Sequence, residues 1–404
     1  MNMKKIILSL MLLLAMTACN EPVSAPVKKM NLTVSQQQLV GVSNQFTYDL
    51  FRQVAGQGNC FISPLSASFA LSMVANGAEG TTKEEMLKAL GFDGKTLDEL
   101  NEYHQKMMRD LPKLDKKTTV EIANAIFIQD SFPVHKSFVD VNKTWYLSEV
   151  SNLDFENNAS GAAAHINNWA SKHTHGKVNK VVDARALKDT KMLLANALYF
   201  KGEWLDKFEK DMTVEELFTN ADKTTATVPL MHRQDRYMYG TNDVYRQLEL
   251  PYNGGAYVMD VLLPQEGKTV ADICQALGHA AEPVLESHLM DVKMPRFKME
   301  YERILNDDLK ALGIRQAFDR VFAQLPGISS IPLCIDFVKQ NTFVAVDESG
   351  TEAAAVTTIS LMKCTAVGPD EEMPIPFHVK EAFVYRIRER ETGTVLFIGE
   401  MQKM

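Results

Sequence analysis

The chain has 404 residues, 46% of them hydrophobic and 23% charged, with a formal net charge of −8, a profile of a globular protein with material for a large core. The acidic balance and the scatter of lysine and arginine along the chain lack the basic surface that nucleic acid requires, so no nucleic-acid partner is expected. Beyond the N-terminus no apolar run is long enough to cross a bilayer.

Lys4 and Lys5 precede an apolar run ending in Thr17-Ala18-Cys19. This is the pattern of a signal peptide, predicted over residues 1–18, so the mature protein is expected outside the cytoplasm. A cysteine directly after small residues resembles a bacterial lipobox, with Met16 where leucine is usual. Lipid on Cys19 would make the protein an envelope lipoprotein, and a plain cut near Ala18 would secrete it. Residues 19–35 are polar and contain Pro22 and Pro26, which suits a tether. The remaining cysteines, Cys60, Cys274, Cys334 and Cys364, are far apart and form no CxxC pair, so neither a disulfide framework nor a zinc site is indicated. Cys60 and Cys334 sit in apolar runs and read as small core residues.

A folded body is expected over residues 36–404. From Gln36 apolar residues recur at helical spacing, Asn59 to Pro64 make an extended break, and residues 65–78 return to helix. Thr81 or Thr82 is placed to start a further helix, which Gly91 would stop. Residues 118–130 are β-branched and apolar, as in a buried strand; 161–178 have helical spacing; 191–204 read as strand. Residues 228–267 read as several strands, with Asn253-Gly254 as a hairpin turn. Helix is predicted again over 301–314, then strands over 335–348, 376–390 and 394–401. Helices dominate early and strands late, without regular alternation, which favours one α+β domain over a doubly wound sheet.

No GxSxG elbow, HExxH, phosphate-binding GxxxxGK[ST] or dinucleotide GxGxxG occurs in the sequence, so no enzyme class and no cofactor is indicated. His173 and His175 form an HxH pair without a third ligand nearby, and read as a solvated helix end before a Gly turn. Asp370, Glu371 and Glu372 follow Gly368 and Pro369 and read as a solvated acidic run.

Residues 351–362, TEAAAVTTISLM, contain no proline or glycine and only one charge, Glu352. The β-branched residues favour extended backbone, while the alanines add little bulk. As a strand it would place Thr351, Ala353, Ala355, Thr357, Ile359 and Leu361 on one face, with Glu352 on the other, where it can stay wet. Such a ribbon would reach about 40 Å and could slide between two other strands with little steric resistance.

At this point the sequence resembles the serpins. The hinge signature of inhibitory members is matched by Glu348-Ser349-Gly350-Thr351-Glu352-Ala353-Ala354-Ala355. Further matching segments are NCFISPLSASFALSMVANGAEGTT (59–82), HGKVNKVV (175–182), NALYFKGEW (196–204), VPLMHR (228–233), VKMPRFKME (292–300) and VLFIGEM (395–401). The resemblance implies a single serpin domain of about eight or nine helices and three β-sheets, with an exposed reactive-centre loop over about residues 348–376. It also implies a suicide substrate rather than an enzyme. A serine protease, or a cysteine protease, attacks the loop, and the freed segment inserts into the main sheet before the acyl-enzyme is hydrolysed.

By the same resemblance Ser63, Pro64, Ser66 and Asn196 belong to a shutter beneath the main sheet, and Trp204 to its top, where insertion starts. Gln340 stands where the family's shutter usually has histidine. Spacing from Glu348 puts the reactive bond at Cys364-Thr365, whereas chemistry favours Lys363-Cys364 and a trypsin-like protease. Met362 would suit elastase-like or chymotrypsin-like enzymes in another register. The downstream stretch TAVGPDEEMPIP is about seven residues longer than is common in the family. A monomer without a metal is expected. A serpin-shaped binding protein that proteases merely cut is the alternative reading, and the small hinge residues Ala353 to Ala355 argue against it.

Overall fold

The computed structural model describes residues 28–352 and 372–404. Among them are nine α-helices: α1 (Val34–Val54), α2 (Pro64–Ala75), α3 (Gly80–Ala89), α4 (Leu97–Asp110), α5 (Lys136–Tyr146), α6 (Ala159–His173), α7 (Ala184–Leu187), α8 (Val270–Ala276) and α9 (Asn306–Ala311). Local sequence explains their starts. Thr33 with Gln36, and Thr96 with Glu99, form capping boxes ahead of α1 and α4, which satisfy amides that have no partner in the first turn. Ser63 caps α2 through the Ser66 amide, with Pro64 in the first turn, where its missing N–H costs nothing. α3 begins at Gly80, ahead of the predicted threonines, and the Thr82 hydroxyl accepts the Gln324 amide at 2.9 Å instead of capping the helix.

The strands are β1 (Cys60–Ile62), β2 (Thr119–Gln129), β3 (Glu149–Leu153), β4 (Met192–Glu203), β5 (Val214–Thr219), β6 (Thr225–Thr241), β7 (Tyr245–Pro251), β8 (Tyr257–Pro264), β9 (Glu286–Pro295), β10 (Phe297–Ile304), β11 (Lys339–Asp347), β12 (Gly350–Thr351), β13 (Ile375–His378), β14 (Phe383–Glu389) and β15 (Val395–Met401). One sheet runs β10-β11-β12-β4-β2-β3. The other runs β1-β15-β14-β8-β7-β6-β9-β13, with β5 also on β6. Two of the three expected sheets are therefore continuous. The 17 residues of β6 pair at one end with β5, along most of their length with β9, and from Met238 to Thr241 with β7. The predicted turn at Asn253-Gly254 joins β7 to β8, and Gly254 has a φ of +113° that an L side chain resists.

Residues 301–304 are strand, not helix, and only Asn306–Ala311 of the predicted 301–314 helix is helical. Tyr301 pairs with Thr342 and Ile304 with Lys339, so sheet pairing with β11 overrides a helical spacing of apolar residues. Residues 335–338, predicted as strand, lie outside β11 in irregular backbone.

The first sheet divides the core. Leu193, Ala195 and Ala197 of β4 pack with Ala162, Ile166 and Trp169 of α6 on one face. Phe200, with Leu198 beside it, joins the main core that α1, α2 and the second sheet share. Alternation along β4 thus sends successive side chains to two separate cores.

Candidate functional site

β12 is two residues long, yet it pairs antiparallel with strands on both sides. Gly350 and Thr351 face Asp347 and Val346 on β11, and Glu203 and Gly202 on β4. β4 and β11 therefore run parallel to each other, and among the described residues β12 is the only strand hydrogen-bonded between them. The sequence makes this close approach possible. Gly350 has a φ of +150°, and a Cβ there would lie 2.1 Å from the Gly202 carbonyl oxygen, so only glycine fits. Thr351 is 3% exposed, and its hydroxyl lies 2.6 Å from that of Tyr252.

The residues just before β12 are fastened to the top of the sheet. The Asp347 carboxylate accepts the amides of Ser349 and Gly350 at 2.8 and 3.2 Å, which shapes the turn. Trp204 donates its indole N–H to the Asp347 carbonyl at 2.9 Å, and its own amide to the Ser349 carbonyl. Its ring stacks on Tyr252 at 4.7 Å between centroids. Glu348 is buried, and its carboxylate accepts the Thr213 hydroxyl at 2.8 Å and a guanidinium N–H of Arg296. Burial alone would raise the Glu348 carboxyl, but the Thr213 hydroxyl, its own amide and Arg296 hold it below the usual carboxylate range.

Below β12 the sheet is split. A cavity of about 660 Å³ opens between β4 and β11, lined by Leu194, Asn196 and Leu198 on one side and by Val338, Gln340 and Thr342 on the other. It passes through the sheet, since Trp169 and Val178 border it on the α6 side, and Ser63, Ala67 and Leu71 on the α2 side.

Polar residues bridge the split from beneath. The Gln340 side chain accepts the Ser63 amide at 3.0 Å and donates to the Ser63 carbonyl at 2.6 Å, so both ends of its amide are used on one residue. The Ser63 hydroxyl donates to the Leu396 carbonyl at 2.7 Å. The Ser66 hydroxyl donates to Asn196, Asn196 donates to Asn124 of β2 at 2.6 Å, and Asn124 to the Tyr146 carbonyl at 2.8 Å. A buried chain of hydrogen bonds thus runs from β11 through the start of α2 to β4 and β2, and each member would be costly to leave unpaired.

Of the residues singled out in the sequence, Ser63, Pro64, Ser66, Asn196, Gln340, Trp204, Glu348, Gly350, Thr351 and Glu352 are thus brought together along one sheet. Glu352 differs from expectation. Its side chain is only 9% exposed, paired with Lys177 at 2.8 Å, rather than left in water. Cys19, Ala353, Ala354, Ala355, Met362, Lys363, Cys364 and Thr365 lie outside the described residues. Cys334 is half-buried at the edge of the cavity rather than in the core, while Cys60 and Cys274 are buried. His173 and His175 reach different carboxylates, Glu149 at 3.1 Å and Glu121 at 2.9 Å. Sequence reasoning missed Tyr252, Arg296, Thr213 and Lys177, whose roles depend on meeting residues far away in the chain.

A split sheet entered from above by the Glu348–Glu352 segment is matched by the family model described as serpin (serine protease inhibitor), which covers residues 42–404. The chain belongs to the serpin family. It is 32% identical to an uncharacterised serpin-like protein of Thermococcus kodakarensis over 91% of this chain and 86% of that one. It is 31% identical to the leukocyte elastase inhibitor of Homo sapiens over 90% of this chain and 98% of that one. Among solved structures, the thermophilic serpin tengpin in its native state superposes with a TM-score of 0.81 at 27% identity, covering 94% of this serpin and 97% of tengpin. Human thyroxine-binding globulin superposes with a TM-score of 0.77 at 26% identity, over 91% of this chain and 98% of that one.

Proposed function

We propose that this serpin is a suicide-substrate inhibitor of serine endopeptidases, trapping them when the cut loop enters the split between β4 and β11. The observation that carries the reading is the register at β12. Because Thr351 already pairs with Val346 and Gly202, each further residue would move one place back along both strands. Ala353 would lie between Val344 and Phe200, Ala355 between Thr342 and Leu198, and Thr357 between Gln340 and Asn196. Leu361 would reach Met192, the first residue of the 12-residue β4. The segment 350–361 therefore matches the whole of β4, and Met362, Lys363 and Cys364 follow directly where it ends.

The chemistry follows from this geometry. The protease serine attacks the carbonyl carbon of the reactive bond, the peptide bond breaks, the downstream amine leaves, and an ester joins the upstream fragment to the protease. That fragment, no longer tethered below, completes the ladder between two parallel strands as an antiparallel partner to both. Each backbone hydrogen bond gained contributes about 1 kcal/mol net, and the residues that would lead the inward face, Thr351, Ala353 and Ala355, are small. The acylated protease is carried along the sheet before water releases it.

Lys363 favours trypsin-like targets, with Cys364 as the alternative specificity residue and Met362 suiting elastase-like ones. The relationship to leukocyte elastase inhibitors makes elastase the second protease to assay. Removal of residues 1–18, with lipid on Cys19, would present a monomeric inhibitor on the bacterial envelope. The test is to mix the purified protein with trypsin and with elastase and run denaturing gels. A covalent complex with either is expected. Fragments alone would support the alternative, a serpin-shaped binding protein that proteases only cut.

A further inference from the structure

Glu352 is where the chain leaves the sheet, with a φ of +58° in the left-handed region that L residues avoid. Its amide still donates to the Ala345 carbonyl at 2.7 Å, so pairing with β11 extends one residue past β12. The Glu352 carboxylate, on the α6 face of the sheet, is paired with Lys177 at 2.8 Å. Lys177 also lies over the Phe343 ring of β11 at 4.9 Å, a favourable placement for a cation. On the other side Tyr199 of β4 faces Glu352, and burial first and that carboxylate second push its phenol up.

Lys177 comes from the turn that follows α6, where His175 and Gly176 both have positive φ. That turn is fastened to the sheet a second time. His175 packs against Tyr199 at 4.4 Å between centroids, the rings tilted by 36°, and bonds Glu121 of β2 at 2.9 Å. It therefore holds to β2 and β4 through His175, and to the hinge and β11 through Lys177. The register gives this position meaning, since Ala354 would have to lie between Phe343 and Tyr199, directly under the ion pair.

Resting on the inhibitory reading, we propose that Lys177 and Glu352 form a bar across the upper end of the split, holding the resting hinge at Gly350–Thr351. Lys177 is a positioning residue in this scheme. For Ala353 and Ala354 to enter, the ion pair must break and Glu352 must return to extended backbone. The pair sets the rate of insertion while contributing little to the stability of the rest of the fold.

A peptide with the sequence of residues 353–361, AAAVTTISL, tests this on the intact protein by occupying the split itself. Uptake is followed as the appearance of a form that resists thermal unfolding. Lys177→Ala is expected to take up the peptide about tenfold faster than the unaltered protein, the effect of losing one charged hydrogen bond, with an unchanged melting temperature before the peptide is added. Lys177→Arg is expected to keep the original rate, and Glu352→Gln to match Lys177→Ala. Equal uptake rates for Lys177→Ala and the unaltered protein would overturn the bar and leave the inhibitory reading intact, as would Lys177→Arg accelerating as much as Lys177→Ala. If no variant takes up peptide and trypsin yields only fragments, the inhibitory reading fails and the bar falls with it.

Discussion

At the scale of single residues, Gln340 joins β11 to the start of α2. Its amide offers one donor and one acceptor with a fixed spacing, and both meet the backbone of Ser63. An amide does not titrate in the physiological range, so this joint between β11 and α2 holds equally at pH 5 and pH 8. Gln340→Ala would leave the buried Ser63 N–H without a partner, while the Ser63 carbonyl would keep the Ala67 amide. A loss of about 1–3 kcal/mol is expected in urea unfolding, and an unchanged midpoint would remove Gln340 from the account of how β11 is held to the start of α2. Glycine acts just as locally at position 350, where both the backbone angle and the approach of Gly202 forbid a side chain.

At the scale of elements, β12 decides how the chain behaves. Thr351 already lies between two strands with its hydroxyl bonded to Tyr252, so Thr351→Arg would place an unpaired charge in a gap that has no room for it. Trypsin is expected to cut this variant at the original rate while the yield of covalent complex falls at least about tenfold, and full complex yield on a denaturing gel would contradict the model of entry. β4 and the helices with clear caps were legible in the sequence, and so was the extended start of the small-residue stretch at Thr351, whose continuation from Ala353 lies outside the described residues. What the sequence did not yield depends on distant partners. Tyr301 to Ile304 have apolar residues at helical spacing but pair with β11, and the parallel relation of β4 and β11 exists only once both have folded. Lys177 gave no signal beyond its place in a family segment, since its partner is 175 positions away.

At the scale of the whole molecule, the described residues place only the two residues of β12 between β4 and β11. On the proposed inhibitory reading, residues 353–361 of a cut chain would complete that ladder. Nicking within residues 362–365 and heating the nicked and intact forms side by side should show the nicked form melting about 20 °C higher, since a strand paired on both edges adds roughly two hydrogen bonds per residue and each shifts a domain of this size by about 1–2 °C. Equal melting temperatures would leave insertion without a driving force. The continuous strand β6 shows why the change can be confined. The second sheet is paired across its whole width, so it can serve as a rigid frame while the first sheet widens.

The gap between β4 and β11 also has a meaning for molecules that are never cut. Among the described residues no strand lies between the facing edges of β4 and β11 below β12, and such edges invite any extended chain of suitable size. If the opening admits the protein's own cut segment as proposed, the same geometry would admit that segment from a second copy.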